Sequence, residues 1–126
     1  MKDELVIHNR PKSNISEDIR TIRTNLMFTS SDEESKVILV TSSVPGEGKS
    51  FISSNLAAAF AQTGESTLLI DSDLRLGRIH KVFGLSNTKG LSNLLIDQNI
   101  VDCAEYIKKT SIPNLYVIPR GTVPPN

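Results

Sequence analysis

A short glycine-containing loop holds the residues of this sequence that are best suited to chemistry. The loop ends in the run Pro45-Gly46-Glu47-Gly48-Lys49-Ser50. Backbone N–H groups at the start of a following helix would point at a phosphate, and the helix dipole adds partial positive charge there. Lys49 would neutralise β- and γ-phosphate oxygens, and the Ser50 hydroxyl is suited to Mg²⁺. These residues predict a phosphate-binding loop.

The segments on either side of this loop predict a strand and a helix. Val37–Val40 is a continuous apolar run, which is typical of a parallel strand buried on both faces. From Ser50 to Gln62 the apolar residues recur at helical spacing. Ser43 stands where the strict phosphate-loop pattern has its first glycine. A glycine-rich turn with a solvated lysine is the alternative interpretation, and the flanking elements favour the phosphate loop.

A second apolar run, Thr67–Ile70, leads directly into Asp71-Ser72-Asp73-Leu74-Arg75. Parallel strands joined by a helix cross over right-handedly, so their carboxyl ends lie at one edge of the sheet. We therefore expect the two carboxylates to reach the phosphate site. The predicted fold class is α/β, with a doubly wound and mainly parallel sheet of the P-loop NTPase type, of which this chain holds only a part.

The order of these motifs is similar to that of a known family. A hydrophobic-Asp-x-Asp-x-Arg run after a Pro-Gly-Glu-Gly-Lys-Ser loop resembles the Walker A and Walker A′ motifs of bacterial tyrosine kinases (BY-kinases) of capsule and exopolysaccharide synthesis. That family tolerates serine at the first loop position, and the stretch Gly90–Leu95 also resembles it. The resemblance is strongest to the Gram-positive type, in which the cytoplasmic kinase subunit and its membrane activator are separate polypeptides.

The resemblance implies an autophosphorylating protein-tyrosine kinase that uses ATP and Mg²⁺. Lys49, Asp71 and Asp73 are the expected catalytic residues, and we favour Asp71 as the base or as a water-mediated metal partner. The residues expected to bind the nucleotide are Ser43, Pro45, Gly46, Glu47, Gly48, Lys49, Ser50, Phe51 and Arg75. The residues expected near the metal are Ser50 and Asp71. The sequence does not separate the roles of Asp71 and Asp73.

An amphipathic helix is predicted before the phosphate loop, from Asn14 as its cap to about Phe28. Its apolar stripe consists of Ile15, Ile19, Ile22 and Leu26. Beside the stripe lies a charged ridge, which consists of Glu17, Arg20 and Arg23 at three-residue spacing. This Glu-x-x-Arg-x-x-Arg pattern resembles the motif through which BY-kinase subunits assemble, so the resemblance implies a homo-oligomeric ring. A solvated helix face is the alternative interpretation.

Length and charge set limits on the whole chain. Its 126 residues allow one domain at most, and 14 basic and 14 acidic residues give no general preference for nucleic acid. We expect an extended arm at 1–13 and the N-terminal part of a P-loop kinase domain at 14–126. The resemblance implies that a longer protein adds the Walker B strand and a tyrosine cluster. Two short helices are expected between Leu76 and Leu95, with a third strand at Asn114–Ile118.

The resemblance also implies where the protein works and with what. We expect a cytoplasmic protein at the inner face of the membrane, held there by a transmembrane activator of the polysaccharide co-polymerase type, with protein tyrosines as substrates. Two other functions stay open. One is a switch ATPase of the partition or septum-placement type, in which a lysine would stand at the position of Val44. The other is a non-catalytic module that binds nucleotide to order an assembly.

Overall fold

The computed structural model describes residues 3–29, 36–44, 46, 48–99 and 102–124. Its elements, in chain order, are α1 (Val6–Asn9), α2 (Asn14–Met27), α3 (Lys49–Ala61), β1 (Thr67–Ile70), α4 (Ile79–Phe83), α5 (Leu91–Ile96), a 3₁₀ turn (Cys103–Tyr106), β2 (Lys108–Lys109) and β3 (Leu115–Ile118). The predicted helix after the phosphate loop and the two short helices before residue 97 are therefore confirmed.

Helix α3 is at the centre of the packing. Its sequence is rich in alanine, and Leu56, Ala57, Ala58, Ala59 and Ala61 are all buried. A helix without a polar face needs cover on every side. The helix contacts both β1 and β3 of the sheet and also α1, α2 and α4. Because α3 begins at Lys49, the packing of this helix fixes the phosphate loop to the core.

The described strands form one small mixed sheet in the order β1-β3-β2. Strand β1 pairs with β3 in parallel, with Thr67 opposite Leu115 and Ile70 opposite Ile118. Strand β2 pairs with β3 in the antiparallel direction. The strands expected at Thr67–Ile70 and near residues 114–118 are confirmed. One edge of β1 has no strand beside it among the described residues.

The strand predicted at Val37–Val40 is wrong for this structure. No strand is assigned there, Val37 is fully exposed at 100%, and Leu39 is 81% exposed. A strand that is apolar on both faces is stable only between neighbouring strands and under packed helices. One edge of β1 is open, but residues 37–40 pair with none of the described strands, and Val37 and Leu39 are left uncovered. The apolar run predicts burial but does not supply its partners.

The extended arm predicted at residues 1–13 is also wrong for the part that is described. Leu5 and Ile7 are 0% exposed and belong to the hydrophobic core, where they pack with α3. Asn55 of α3 binds their main chain: its Oδ1 accepts from Ile7 N at 3.0 Å, and its Nδ2 donates to Glu4 O at 2.7 Å. The short helix α1 forms because α3 has apolar surface to cover, which local sequence does not reveal.

Helix α2 matches its predicted length, but its cap and its exposed face differ. The N-cap is Ser13, whose Oγ accepts from Ser16 N at 3.2 Å, so the cap lies one residue before the predicted Asn14. Of the predicted apolar stripe, Ile19 is buried, whereas Ile15 and Ile22 are 50% and 41% exposed. The buried side of α2 includes Ser16, which is fully buried and whose Oγ donates to the carbonyls of Val6 and Arg10.

Candidate active site

The phosphate loop takes its shape from two glycines. Gly46 has φ +83° and Gly48 has φ +82°, a left-handed conformation that other residues rarely adopt. A Cβ on either residue would meet none of the described atoms within 4 Å, so the requirement for glycine is conformational. Gly48 caps α3, and its carbonyl accepts from Ile52 N at 2.9 Å. The N–H groups of the first helical turn are thus presented at the loop.

Lys49 lies at the first position of α3 and faces the second carboxylate of the pair. Its Nζ is 3.8 Å from Asp73 Oδ2, and both side chains are about one-third exposed. The other oxygen of that carboxylate, Oδ1, accepts from Leu76 N at 3.1 Å. The prediction that the carboxylates after Thr67–Ile70 approach the phosphate loop therefore holds for Asp73. A long ion pair at partial exposure is weak, so Lys49 is available to an anion in the loop.

Asp71 is the more buried of the two carboxylates, with 6% exposure. Its Oδ1 accepts from Asp73 N and its Oδ2 from Ile79 N, each at 3.2 Å. Burial raises the pKa of Asp71, and the bonds from these two amides oppose that shift. A carboxylate with a raised pKa is a stronger base than a solvated one, which suits it to accept a proton.

His80 is a titratable side chain whose charge influences Asp71. The pKa of His80 is lowered by burial, then by the charges of Arg120 and Lys81, while Asp71 opposes the shift. A lowered pKa keeps the ring neutral at neutral pH. When it is protonated, His80 favours the ionised form of Asp71, but this lowers the pKa of Asp71 less than the two amide bonds do.

Four of the other residues predicted to contact nucleotide lie in the described part of the chain. Ser43 and Arg75 are exposed, whereas Ser50 and Phe51 are half-buried in the first turn of α3. Pro45 and Glu47 lie outside the described residues. Glycine, lysine and hydroxyl groups thus stand in the order that phosphate binding requires, with the Ser50 side chain one residue after Lys49. Their roles stay predictions.

Two residues near Asp71 escaped the sequence analysis. Gly77 packs its main chain directly against Asp71, and a Cβ there would overlap both carboxylate oxygens. Arg120 donates from Nε to the Gly77 carbonyl at 2.8 Å. The glycine after the Asp-x-Asp-x-Arg run was a signal that could have been used. Nothing in the local sequence around Arg120 points to a residue that lies 43 positions away.

The charged ridge predicted on α2 is split by the structure. Arg20 Nη1 contacts Glu17 Oε1 at 3.1 Å, and this pair faces solvent on the Glu17 side. Arg23 instead donates from Nη1 to the Ala59 carbonyl of α3 at 3.1 Å, and its Nε is buried. Arg23 is thus bound within its own chain through Nη1, and the assembly role of the three residues stays a prediction. Its contact stabilises the α2–α3 packing, because it binds a carbonyl in the last turn of α3.

The loop at the start of α3 and the carboxylates after a parallel strand define a P-loop NTPase fold. In agreement, the family model of ParA, described as the NUBPL iron-transfer P-loop NTPase, matches residues 33–117. The chain belongs to this family of P-loop NTPases, and the relatives reported next are bacterial tyrosine kinases. The predicted fold class is confirmed. Membership implies nucleotide binding, generally with a metal ion, and the residues of the loop fit that ligand.

The relatives bear out the resemblance that the motifs indicated. The chain is 44% identical over 122 residues to the putative tyrosine-protein kinase CapB of Staphylococcus aureus, and the alignment covers 97% of this chain and 53% of CapB. It is 42% identical over 126 residues to the tyrosine-protein kinase YwqD of Bacillus subtilis, covering 100% of this chain and 52% of YwqD. The chain spans about half the length of these curated relatives.

A solved structure agrees with these relatives. The kinase domain of the Escherichia coli tyrosine kinase ETK superposes with a TM-score of 0.90 at 35% identity, covering 100% of this chain and 49% of that domain. The predicted relationship to bacterial tyrosine kinases is thereby confirmed. Among the described residues, no helix is both long and apolar enough to cross a membrane.

Proposed function

We propose that the complete protein that carries this chain is an autophosphorylating, ATP-dependent protein-tyrosine kinase that regulates capsular or extracellular polysaccharide synthesis and export. The observation that carries the proposal is the pairing of Lys49 at the start of α3 with Asp73 at 3.8 Å, beside a buried carboxylate of raised pKa. The names of the relatives CapB and YwqD support the same activity.

In this proposal the residues of the chain position and neutralise the reacting groups. When bound, ATP supplies the γ-phosphoryl group, and Mg²⁺ neutralises part of the phosphate charge. The amides of the first turn of α3 and the Lys49 ammonium would hold the phosphates, and the Ser50 hydroxyl would hold the metal ion. Phosphoryl transfer needs little covalent assistance, so most of the rate enhancement comes from this positioning and charge neutralisation.

We assign different roles to the two carboxylates. Asp71 accepts the proton of the tyrosine hydroxyl, since its burial raises its pKa and two backbone amides fix its oxygens. Asp73 orients Lys49 and faces the phosphate and metal side of the loop. Asp71→Asn should lower phosphorylation by about 10²-fold or more with nearly unchanged nucleotide affinity. Loss of both activity and affinity would instead make Asp71 a metal partner, and normal turnover would remove it from the mechanism.

Replacement of Lys49 by Met tests the proposal most directly. The substitution removes the charge at the phosphate site but keeps much of the side-chain volume. We expect tyrosine phosphorylation to fall by about 10²-fold or more. Lys81→Met is the matched control, because Lys81 is an exposed lysine of α4. Phosphorylation is measured with labelled ATP, and thermal unfolding verifies that both variants are folded. Normal activity of Lys49→Met would contradict the proposed phosphate site.

We further propose that the protein forms a homo-oligomeric ring in the cytoplasm, at the inner face of the membrane. A transmembrane activator of the co-polymerase type would hold it there, and tyrosines of neighbouring subunits would be its first substrates. The solvent-facing pair Glu17 and Arg20 on α2 is the part of the ridge available for such a contact. Exposed charges at a repeated interface act together in a closed ring, although each pair alone is weak.

The match to the ParA model supports a second candidate, a switch ATPase that transfers the phosphoryl group to water. Both candidates use the same loop, so Lys49→Met does not separate them. The products do. A kinase gives phosphotyrosine on the protein itself, whereas a switch ATPase releases phosphate without labelling the protein. Val44, where the partition-type proteins are expected to carry a lysine, favours the kinase.

A further inference from the structure

The position of Asp71 depends on the main chain of residues 77–79. The amide of Ile79 donates to Asp71 Oδ2 at 3.2 Å. Gly77 is buried, and its main chain lies so close that a Cβ would overlap the carboxylate and also the Asp73 carbonyl. Since a carboxylate held by a backbone amide follows that amide, a shift of this segment would move the base.

Arg120 fastens this segment to the loop after β3, the strand that pairs with β1. It lies two residues after β3, and its half-buried guanidinium donates from Nε to Gly77 O at 2.8 Å. A second bond runs from Nη1 to Gly121 O at 2.7 Å. The guanidinium is planar and carries its donors in fixed directions, so two simultaneous bonds determine where the Gly77 carbonyl lies.

The main chain around Arg120 is itself held on both sides. Leu91 N donates to Pro119 O at 2.8 Å, and Ser92 N donates to Arg120 O at 2.9 Å. Asn87 binds Gly121 twice, accepting from its N–H at 2.8 Å and donating to its carbonyl at 2.9 Å. The start of α5 therefore holds the loop after β3 in place. The main chain that carries the Arg120 side chain is therefore fixed, and the side chain reaches Gly77 from that position.

We propose that Arg120 is a positioning residue for Asp71, acting through the Gly77 carbonyl and the Ile79 amide. The proposal rests on the tyrosine-kinase function proposed above. It differs from a role in nucleotide binding, because Arg120 binds main-chain carbonyls and acts on the carboxylate from the side of α4. A small displacement of a catalytic group is enough to lower a rate strongly while substrate binding is kept.

The test compares three variants of the complete protein. Arg120→Met removes both bonds, Arg120→Lys keeps the charge but replaces the two fixed donors by a single ammonium group, and Arg78→Met is the matched control. Arg78 lies in the same segment, is mostly exposed, and pairs with Glu4 at 2.8 Å without a bond to Gly77 in the described structure. For Arg120→Met we expect kcat to fall by about 10-fold to 10²-fold, with the nucleotide Kd changed by less than about twofold. Arg120→Lys should recover part of kcat, and Arg78→Met should match the wild type.

A second measurement does not depend on activity. Amide hydrogen exchange should become faster at Gly77 and Ile79 in Arg120→Met and stay unchanged across β3. The proposal is overturned if kcat is unchanged, if Kd rises as much as kcat falls, or if exchange rises equally throughout β3, which would indicate a general loss of stability. If the wild type makes no phosphotyrosine, the proposed function fails, and the exchange pattern still decides whether Arg120 holds the Asp71 segment.

Discussion

Replacement of Asn55 by Ala should strongly destabilise the fold, although Asn55 lies far from any reacting group. Asn55 is fully buried in α3 and binds the N-terminal segment through Ile7 N and Glu4 O. It also donates to Phe51 O at 2.8 Å, one turn earlier in the same helix. Alanine would leave the Ile7 amide without a partner, whereas the Glu4 carbonyl would keep its bond from Val6 N at 3.0 Å.

The magnitude follows from these contacts. A buried backbone group that loses its partner costs about 1 to 3 kcal/mol, and this penalty applies to the Ile7 amide. The Phe51 carbonyl adds little, because it keeps its place in the helical hydrogen-bond ladder. With a urea m-value of about 1.5 kcal/mol/M, the unfolding midpoint should fall by about 0.7 to 2 M.

The assay is urea unfolding of the complete protein, followed by hydrogen exchange at the Ile7 amide. Ser53→Ala is the matched control, because Ser53 Oγ bonds only to the Lys49 and Ser50 carbonyls of the same helix among the contacts described. Its midpoint should stay close to that of the wild type. If Asn55→Ala unfolds at the wild-type midpoint and Ile7 exchange is unchanged, residues 3–9 are not held by Asn55 and the reasoning about the N-terminal segment is refuted.

Two further predictions concern α2 and the region after α5. Arg23→Ala should lower the free energy of unfolding by about 1 to 2 kcal/mol, because a carbonyl at the end of α3 loses a charged donor. Arg20→Ala should leave the free energy of unfolding nearly unchanged but reduce the mass of the oligomer measured by sedimentation. An unchanged mass would indicate that this side of α2 is a solvated face. Tyr106→Phe should lower the Tm at pH 7, and less so below about pH 4, since the pKa of Asp97 is lowered by the Asn99 amide and by the Tyr106 hydroxyl. The pKa of Tyr106 is raised to about 12, so the bond persists at alkaline pH, and an equal Tm difference at pH 3 and pH 7 would contradict this account.

The sign of the Asp97 effect follows from the direction of its shift. A carboxyl group whose pKa is lowered in the folded state stabilises that state above its unfolded value of 3.8, and the stabilisation is lost as the pH falls through the folded pKa. Tyr106 itself is 2% exposed, and its hydroxyl donates to Asp97 Oδ2 at 2.8 Å. Because its ring is buried and its hydroxyl is bound, we expect Tyr106 to be a packing residue and not a phosphate acceptor.

The sequence by itself determined the chemistry of the phosphate loop. Lys49 and Ser50 follow the glycines directly, and Asp71 and Asp73 follow an apolar strand directly. Such local order is enough to predict a strand, a helix and the groups at their ends, because backbone geometry fixes neighbours only a few residues apart. The same order carried the resemblance to bacterial tyrosine kinases, which the relatives confirmed.

Only the tertiary structure decided which groups meet. It turned Asp73 toward Lys49, bound Asp71 to the Ile79 amide, and brought Arg120 to Gly77. The predicted strand at 37–40 failed for a related reason, since an apolar run indicates burial without naming its partners. Contacts such as Asn55 with Ile7, 48 residues apart, form because α3 needs cover on all sides. That requirement belongs to the packed core as a whole, so no local pattern records it.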